Sequence, residues 1–171
     1  MATLRAPQLI ERISVALARL GDLARERKIP IEHELQGKKF SWDGVEGEFL
    51  WPELSPGEIA PNAKNDDSLV LRLRFGNQGT MLPGDVEKES ERTILAENDA
   101  TELRTDILKI GHHGSKNSTM PEFLAAVQPR IGIISSGEAN PYGHPSRSYW
   151  NGWRMRVFRF TGRILTGRCT F

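Results

Sequence analysis

Short apolar segments alternate with helical segments over the later two thirds of the chain, and this alternation limits the available folds more than any other feature. The apolar runs have the length and composition of buried strands, and the segments between them have helical periodicity or turn residues. The predicted strands are residues 68–75, 80–84, 106–110, 130–135 and 155–160. The predicted helices are residues 86–98 and 120–127. Interleaved strands and helices predict the α/β class with a mixed β-sheet.

The first third of the chain has a different pattern. Apolar residues recur at spacings of three and four from Pro7 to Lys28, which predicts an amphipathic helix that covers a sheet. Three short alternating segments within residues 31–51 predict small strands, and the Pro, Gly, Asn and Asp content of residues 55–67 predicts a loop. We therefore expect two regions: an amphipathic helix with small peripheral strands in residues 1–60, and a denser core with the candidate site in residues 61–171.

Composition excludes several classes of function. Lys and Arg total 23 against 22 Asp and Glu, so the chain is not a nucleic-acid binder that works by bulk charge. No apolar run approaches the roughly 20 residues of a membrane span, so we expect no direct membrane insertion by this chain. The single cysteine, Cys169, excludes an internal disulfide framework and a cysteine zinc site. Any bound metal must therefore be held by histidines and carboxylates.

Polar motifs follow three of the predicted strands. They are Gly-Asp-Val-Glu at residues 84–87, Gly-His-His-Gly-Ser at residues 111–115 and Tyr-Gly-His-Pro at residues 142–145. Loops that leave strand ends in an open α/β sheet collect at one edge, so we expect these motifs to meet there. Imidazole nitrogens and carboxylate oxygens suit zinc or manganese, and one aspartate can bridge two ions. Two such ions would activate water for attack on a phosphoryl group.

Each motif also has a simpler interpretation. Gly-Asp after a strand is typical of a turn with a local side-chain hydrogen bond, and a histidine before a proline can close a loop. His33 alternates with charged residues and is interpreted as a solvated surface residue. Ser115 and Ser118 lack the glycine-flanked turn of a serine nucleophile, so we expect them to cap a loop.

Four motifs in one order resemble the metallo-β-lactamase-like domain of ComEC-type competence DNA-uptake proteins. They are Asn-Asp-Asp-Ser at residues 65–68, Leu-Pro-Gly-Asp-Val-Glu at residues 82–87, Gly-His-His-Gly-Ser at residues 111–115 and Asn-Pro-Tyr-Gly-His-Pro at residues 140–145. The resemblance covers roughly residues 9 to 165. It implies a partial metallo-β-lactamase-like αββα sandwich with a site for two divalent metal ions, zinc or manganese, at one edge.

The resemblance also implies roles for individual residues. Asp85 resembles the metal-bridging aspartate, and His113, rather than His112, resembles a later histidine ligand. Glu87 and His112 then resemble groups that contact the ligands or the substrate, and His144 lines the pocket. The implied activity is metal-dependent hydrolysis of DNA or another phosphodiester. The alternatives are a catalytically inactive fragment or interaction module, and a different hydrolase of the superfamily, such as an esterase or lactonase.

One departure from the family pattern concerns the principal ligands. No HxHxDH or HxDxDH segment occurs in the 171 residues, and by the resemblance it would lie upstream of residue 1. We therefore expect this chain to be the C-terminal part of the domain, with a partner chain or an upstream segment supplying the rest. The resemblance implies a parent protein in the bacterial inner membrane with this domain outside the cytoplasm, whereas we expect this sequence by itself to have no anchor or export signal.

The end of the chain is basic. Residues 140–171 contain six arginines and no acidic residue. These arginines suit a phosphate backbone, but their alternation with apolar residues is also typical of the outward face of a strand. Trp150 and Trp153 lie three residues apart, a spacing that favours a core helical turn over stacking on bases.

Overall fold

The structure is a computed structural model that describes residues 4–6, 15–33, 36–53, 65–137, 140–146, 156–161 and 164–169. At 4–6, 15–17, 32–33, 156–161 and 164–169 the backbone alone is described. Eight strands form one mixed sheet in the order β10-β9-β8-β7-β6-β5-β4-β3, and a separate parallel pair joins β1 to β2. This confirms the predicted α/β class and the mixed sheet, whereas the αββα sandwich stays a prediction.

The elements follow one another in chain order. The strands are β1 (Leu4–Ala6), β2 (Ile31–His33), β3 (Lys39–Trp42), β4 (Val45–Trp51), β5 (Val70–Phe75), β6 (Gln78–Leu82), β7 (Ile107–Lys109), β8 (Ile131–Ser135), β9 (Arg156–Thr161) and β10 (Ile164–Cys169). The α-helices are α1 (Val15–Glu26), α2 (Lys88–Glu97), α3 (Ala100–Leu103) and α4 (Pro121–Val127). A 3₁₀ turn covers Asn65–Asp67, and Gly111–Gly114 forms a tight turn whose two central residues have left-handed backbone. The sequence patterns did not predict β1, α3 or β10.

The sheet has an antiparallel half and a parallel half. Strands β3 to β6 form an antiparallel meander, which confirms the predicted hairpin between β5 and β6. Asp43 and Gly44 turn the β3–β4 hairpin with φ angles of 48° and 80°, the conformation that favours an Asp-Gly pair. From β6 to β9 the strands run parallel; helices α2 and α3 lie in the β6–β7 crossover, and α4 lies in the β7–β8 crossover.

The two regions expected from the sequence share this sheet. Strand β4, from the first region, pairs with β5, from the second, over residues 45–51 and 70–75. The small strands β3 and β4 are therefore continuous with the core sheet, while β2 pairs with β1 instead. The division at residues 60 and 61 stays a prediction.

The core lies between one face of the sheet and the helices α2, α3 and α4. Its fully buried residues come from both layers. They are Leu50, Val70, Met81, Val86, Ile94, Leu103, Leu108, Ile110, Phe123, Val127 and Ile134. The strand register places Leu71, Leu73, Leu82, Ile107, Ile131 and Ile133 on the opposite face, where they are half-buried. One face is therefore packed and the other is an apolar surface that remains partly exposed.

No helix in the described part of the chain combines the length and the apolar character needed to cross a bilayer.

Candidate functional site

The predicted site residues lie beyond the ends of three neighbouring strands. Asp85 and Glu87 follow β6, the Gly111–Gly114 turn follows β7, and His144 follows β8. Two backbone hydrogen bonds hold these loops together: His112 N–H donates to the Gly84 carbonyl at 3.1 Å, and Ser146 N–H donates to the Gly114 carbonyl at 2.9 Å. The parallel strand order therefore brings all five predicted residues to one edge of the sheet.

Asp85 and His113 form the closest pair of metal-ligand types in the site. Asp85 Oδ2 lies 3.5 Å from His113 Nε2, and both side chains are partly exposed. The other ring nitrogen, His113 Nδ1, lies 2.7 Å from the Ser135 carbonyl oxygen. Because a carbonyl oxygen only accepts, Nδ1 donates, and the neutral ring therefore presents a lone pair at Nε2. A backbone carbonyl on the far nitrogen is the arrangement that orients metal-ligating histidines in proteins.

His112 lies between Glu87 and His144. Its Nδ1 atom is 3.4 Å from Glu87 Oε1, and its ring centroid is 5.7 Å from that of His144. Both His112 Nδ1 and His144 Nδ1 are buried without a hydrogen-bond partner. Buried polar atoms are nearly always paired, so His144 Nδ1 fits a site that receives a hydrogen-bonding ligand, whereas His112 Nδ1 has the Glu87 carboxylate at 3.4 Å as its charged neighbour.

The backbone at the paired histidines is strained. His112 and His113 have φ angles of 43° and 55°, in the left-handed region that side chains with a Cβ atom rarely adopt. Each such residue costs about 1–2 kcal/mol, and strain of this kind persists where surrounding contacts enforce it. The strain turns two adjacent side chains to different partners, His112 toward Glu87 and His113 toward Asp85.

Asn140 holds the loop that contains His144. Its side-chain amide accepts from His144 N–H at 3.0 Å and donates to the His144 carbonyl at 2.7 Å. Burial lowers the pKa of His144, electrostatic interactions with His112 and His113 lower it further, and Asp85 opposes them. His144 is therefore biased toward the neutral form. The exposed Tyr142 ring stacks on it with centroids 5.9 Å apart.

A buried carboxylate supports the loop behind the histidines. Glu91 on α2 is fully buried, and it accepts from Met120 N–H at 2.8 Å, from Thr119 N–H and from the Ser118 hydroxyl. Burial raises the pKa of Glu91 to about 7, and the hydrogen bonds from this loop oppose that shift.

The two serines act within the same loop. The Ser115 hydroxyl accepts from Asn117 N–H at 3.3 Å, and the Ser118 hydroxyl donates to the Val86 carbonyl at 2.7 Å. This confirms the loop-capping role expected for Ser115, whereas Ser118 connects the loop to the segment before α2 and to Glu91.

Lys109 is a site neighbour that the motif analysis missed. Its Nζ atom lies 3.5 Å from the Gly84 carbonyl oxygen and 3.4 Å from that of Ile110. Burial lowers its pKa, and the nearby Asp85 carboxylate opposes the shift. The available signal was a lysine at the last position of an otherwise apolar strand, directly before the histidine motif.

The donor atoms of the site suit a divalent metal ion, but the described side chains approach one another only in pairs. Imidazole nitrogen and carboxylate oxygen are the donors that zinc and manganese prefer. Among the residues that the structure describes, no three His, Cys, Asp or Glu side chains converge closely enough to hold an ion. Asp85 and His113 therefore supply two of the ligands that one metal ion would need.

Several sequence expectations fall outside what is described. The side chain of His33 is not described, nor are Trp150, Trp153, Arg147, Arg154 and Arg163. Arg156, Arg159 and Arg168 lie on β9 and β10, of which only the backbone is described. The proposed roles of this basic end stay predictions.

Three curated relatives point to one family. The chain is 39% identical over 122 residues to ComE operon protein 3 of Bacillus subtilis, and 33% identical over 134 residues to Competence protein ComA of Neisseria gonorrhoeae. It is 37% identical over 112 residues to Recombination protein 2 of Haemophilus influenzae. All three are ComEC-type competence proteins. This chain is homologous to one segment of the ComEC-type competence proteins. The resemblance stated from the motifs is thereby confirmed.

The relationship to the ComEC-type proteins concerns one segment of them. The alignments cover 71%, 78% and 66% of this chain but only 15%, 19% and 13% of the three relatives. No protein-family model matches the chain. Among solved structures, CmlA, a diiron β-hydroxylase from Streptomyces venezuelae, aligns over 77% of this chain and 30% of its own, with a TM-score of 0.48 and 12% identity. A likeness this distant supports no argument about metal or reaction.

Proposed function

We propose that this chain contributes the β6–β8 edge of a metal-dependent phosphodiesterase site that acts on DNA. The observation on which this rests is the pairing of Asp85 Oδ2 with His113 Nε2, whose ring orientation is set by the Ser135 carbonyl. Homology to competence and recombination proteins supports a nucleic-acid substrate. Asp85 and His113 would hold a divalent ion, zinc or manganese, and the second ion of the proposed pair needs ligands from outside the described residues.

The chain's own residues have separable tasks in this proposal. When bound, a divalent ion supplies Lewis acidity, which lowers the pKa of water and stabilises negative charge on a phosphoryl group. Glu87 and His112, with 3.4 Å between carboxylate and imidazole, form a pair that can hold or pass a proton beside the reacting phosphate. His144, biased toward its neutral form, lies beside His112 as a hydrogen-bonding group.

A second candidate function is a non-catalytic interaction module. It is favoured by the absence, among the described side chains, of any three converging metal ligands. It is also favoured by the half-buried apolar face of the sheet, which includes Leu71, Leu73 and Ile107. A second layer packed on that face, from an upstream segment or from a partner chain, would complete the sandwich that the family resemblance implies. Attachment to the outer side of the inner membrane through a longer parent protein also stays a prediction.

The first test is metal binding by the purified chain. Zinc and manganese content is measured by elemental mass spectrometry, and affinity by calorimetric titration, for the parent chain and for Asp85→Asn and His113→Ala. Asp43→Asn is the matched control, because Asp43 is an exposed turn residue in the antiparallel half of the sheet. We expect metal in the parent and in the control and its loss in both site variants.

Hydrolysis is then measured with zinc or manganese present. The substrates are single-stranded circular DNA, a simple phosphodiester and a lactone. Cleavage of DNA supports the phosphodiesterase, and turnover of the lactone alone supports the other hydrolase class. A chain that binds neither metal at millimolar concentration and cleaves nothing would contradict the metal proposal and favour the interaction module.

A further inference from the structure

The Asn-Asp-Asp-Ser motif at residues 65–68 has no part in the site as proposed above, yet it lies directly against it. It forms a 3₁₀ turn between β4 and β5, closed by a hydrogen bond from Ser68 N–H to the Asn65 carbonyl at 3.1 Å. We propose that this turn is the positioning element of the site. Ser68 and Asp66 hold the backbone at Asp85 and Glu87, and Asn65 orients the Glu87 carboxylate toward His112.

Ser68 sets the position of Asp85. The Ser68 hydroxyl oxygen accepts a hydrogen bond from Asp85 N–H at 3.1 Å, across a sequence separation of 17 residues. Gly84, immediately before Asp85, has a φ angle of 62°, and a Cβ atom there would lie 2.6 Å from Ser68 Cβ. The close approach therefore needs glycine at residue 84, and it brings the serine to the amide of the proposed metal ligand.

Asp66 fixes the next part of the same segment. Its Oδ1 atom accepts from Glu87 N–H and from the Ser90 hydroxyl, both at 2.7 Å. Glu87 directly precedes helix α2, so this carboxylate lies at the helix N-terminus, where negative charge is favourable. The Asp66 carbonyl in turn accepts from the Trp51 indole N–H at the end of β4. Asp66 therefore links the antiparallel half of the sheet to the start of α2.

Asn65 acts on a side chain and not on the backbone. Its Nδ2 atom donates to Glu87 Oε1 at 3.1 Å. The same oxygen atom is the one that lies 3.4 Å from His112 Nδ1. The amide therefore holds the carboxylate in the orientation that faces the imidazole. Glutamate has three rotatable side-chain bonds and therefore several available rotamers, and this hydrogen bond favours one of them.

The functional meaning of these contacts rests on the proposed metal site, whereas the contacts themselves do not. The proposal therefore needs one measurement that depends on metal and one that is independent of it. Zinc affinity is the first. Hydrogen exchange of the Asp85 and Glu87 backbone amides, followed by nuclear magnetic resonance, is the second.

The decisive variant is Ser68→Ala, with Ser68→Thr as the rescue that retains the hydroxyl group. Ser41→Ala is the matched control, because Ser41 is exposed on the edge strand β3. In Ser68→Ala we expect faster exchange at Asp85 and a loss of about 10-fold in zinc affinity, the usual effect of removing a group that orients a ligand. Ser68→Thr and Ser41→Ala should match the parent in both measurements, and circular dichroism should show the same fold in all four chains.

Asn65→Ala provides a second arm, with Asn77→Ala as its control in the exposed β5–β6 turn. Because Asn65 contacts Glu87 and not a proposed metal ligand, its removal should leave zinc affinity within about 3-fold of the parent value. Equal losses of zinc affinity in Asn65→Ala and Ser68→Ala would reflect general loosening and would contradict the assigned roles.

The outcomes separate this proposal from the proposed function. Zinc binding that is unchanged in Ser68→Ala overturns the positioning role and leaves the metal site standing. A parent chain that binds no zinc overturns the metal site, and amide exchange then decides the positioning role by itself. Faster exchange at Asp85 in Ser68→Ala supports it, and parent-like exchange overturns it.

Discussion

The two halves of the sheet differ in where their strands end and in how those ends are connected. In the parallel half, β6, β7 and β8 end at the same edge, and Asp85, His112, His113 and His144 meet there. In the antiparallel half, successive strands end at opposite edges, and short turns join β3 to β4 and β5 to β6, whereas residues 52–69 connect β4 to β5. Polar turn residues occur in both halves, but the five candidate site residues all follow parallel strands, and the antiparallel half contributes the 65–68 turn that contacts two of them. Strand direction, more than residue type, therefore decides where a site can form.

The largest expected difference between the two halves concerns turnover. Asp85→Asn should lower phosphodiester hydrolysis by at least about 10²-fold, because a neutral amide replaces the charged oxygen offered to the metal. Asp43→Asn should leave hydrolysis unchanged, since it makes the same chemical change in the antiparallel half. Steady-state rates and unfolding midpoints of the two variants test this. Parent-like turnover in Asp85→Asn would reject the assigned role of Asp85.

The next difference concerns packing. Leu108→Ala on the parallel strand β7 should lower the free energy of unfolding by about 3 kcal/mol, because Leu108 is fully buried and its removal leaves a cavity. Leu73→Ala on the antiparallel strand β5 removes the same atoms from the half-buried face and should cost about 1 kcal/mol. Urea unfolding measures both values. Equal losses would show that the second face is packed as tightly as the core.

The free energy of unfolding should depend on pH through Glu91, which lies on α2 beside the parallel half of the sheet. Its folded pKa of about 7 lies above its usual value of 4.5, so the folded state keeps the proton that the unfolded state releases between these values. The stabilising contribution of protonated Glu91 is thus complete below about pH 4.5 and is lost as the pH rises through 7. The expected decline is on the order of 3 kcal/mol.

Urea unfolding from pH 4 to pH 8 measures this decline. It should be flattened in Glu91→Gln and retained in Glu89→Gln, a change at an exposed carboxylate of the same helix. A pH dependence in Glu91→Gln as steep as that of the parent would assign the effect to other groups.

The smallest expected difference compares two glycines with left-handed backbone, Gly84 beyond β6 and Gly76 in the β5–β6 turn. Gly76→Ala should cost about 1 kcal/mol from backbone strain alone, because nothing lies within 4 Å of the added carbon. Gly84→Ala adds a contact of 2.6 Å with Ser68 Cβ and should cost about 1 kcal/mol more. Thermal unfolding of the two variants is the measurement. Equal costs would indicate that the 65–68 turn yields easily.

Most of the helices and strands could be predicted from local pattern, and their ends were less certain. The predicted strand at 106–110 shortens to Ile107–Lys109, and the predicted helix at 86–98 shortens to Lys88–Glu97. α3 was missed because four residues are too few to show helical periodicity. β10 was missed because Gly167 and Arg168 interrupt its apolar pattern, and its pairing with β9 is irregular at that point.

The residues of the candidate site also divide into those that local pattern predicts and those that it does not. Asp85, Glu87, His112, His113 and His144 were found from residue type and from their position after apolar strands. Lys109 and Ser68 were missed because each lies within or beside a strand and becomes a site neighbour only through long-range contacts. No spacing rule relates Ser68 to Asp85, since the hydrogen bond between them depends on how β5 pairs with β6.

The sequence by itself determined the fold class, the polar motifs and their order, because apolar periodicity and glycine-flanked polar residues are local properties of the chain. The tertiary structure decided which nitrogen of His113 faces Asp85, that Glu87 faces His112, and that the 65–68 turn holds both acidic residues in place. These are relations between segments distant in sequence. They depend on strand order and on backbone strain at single residues, which only the packed chain specifies.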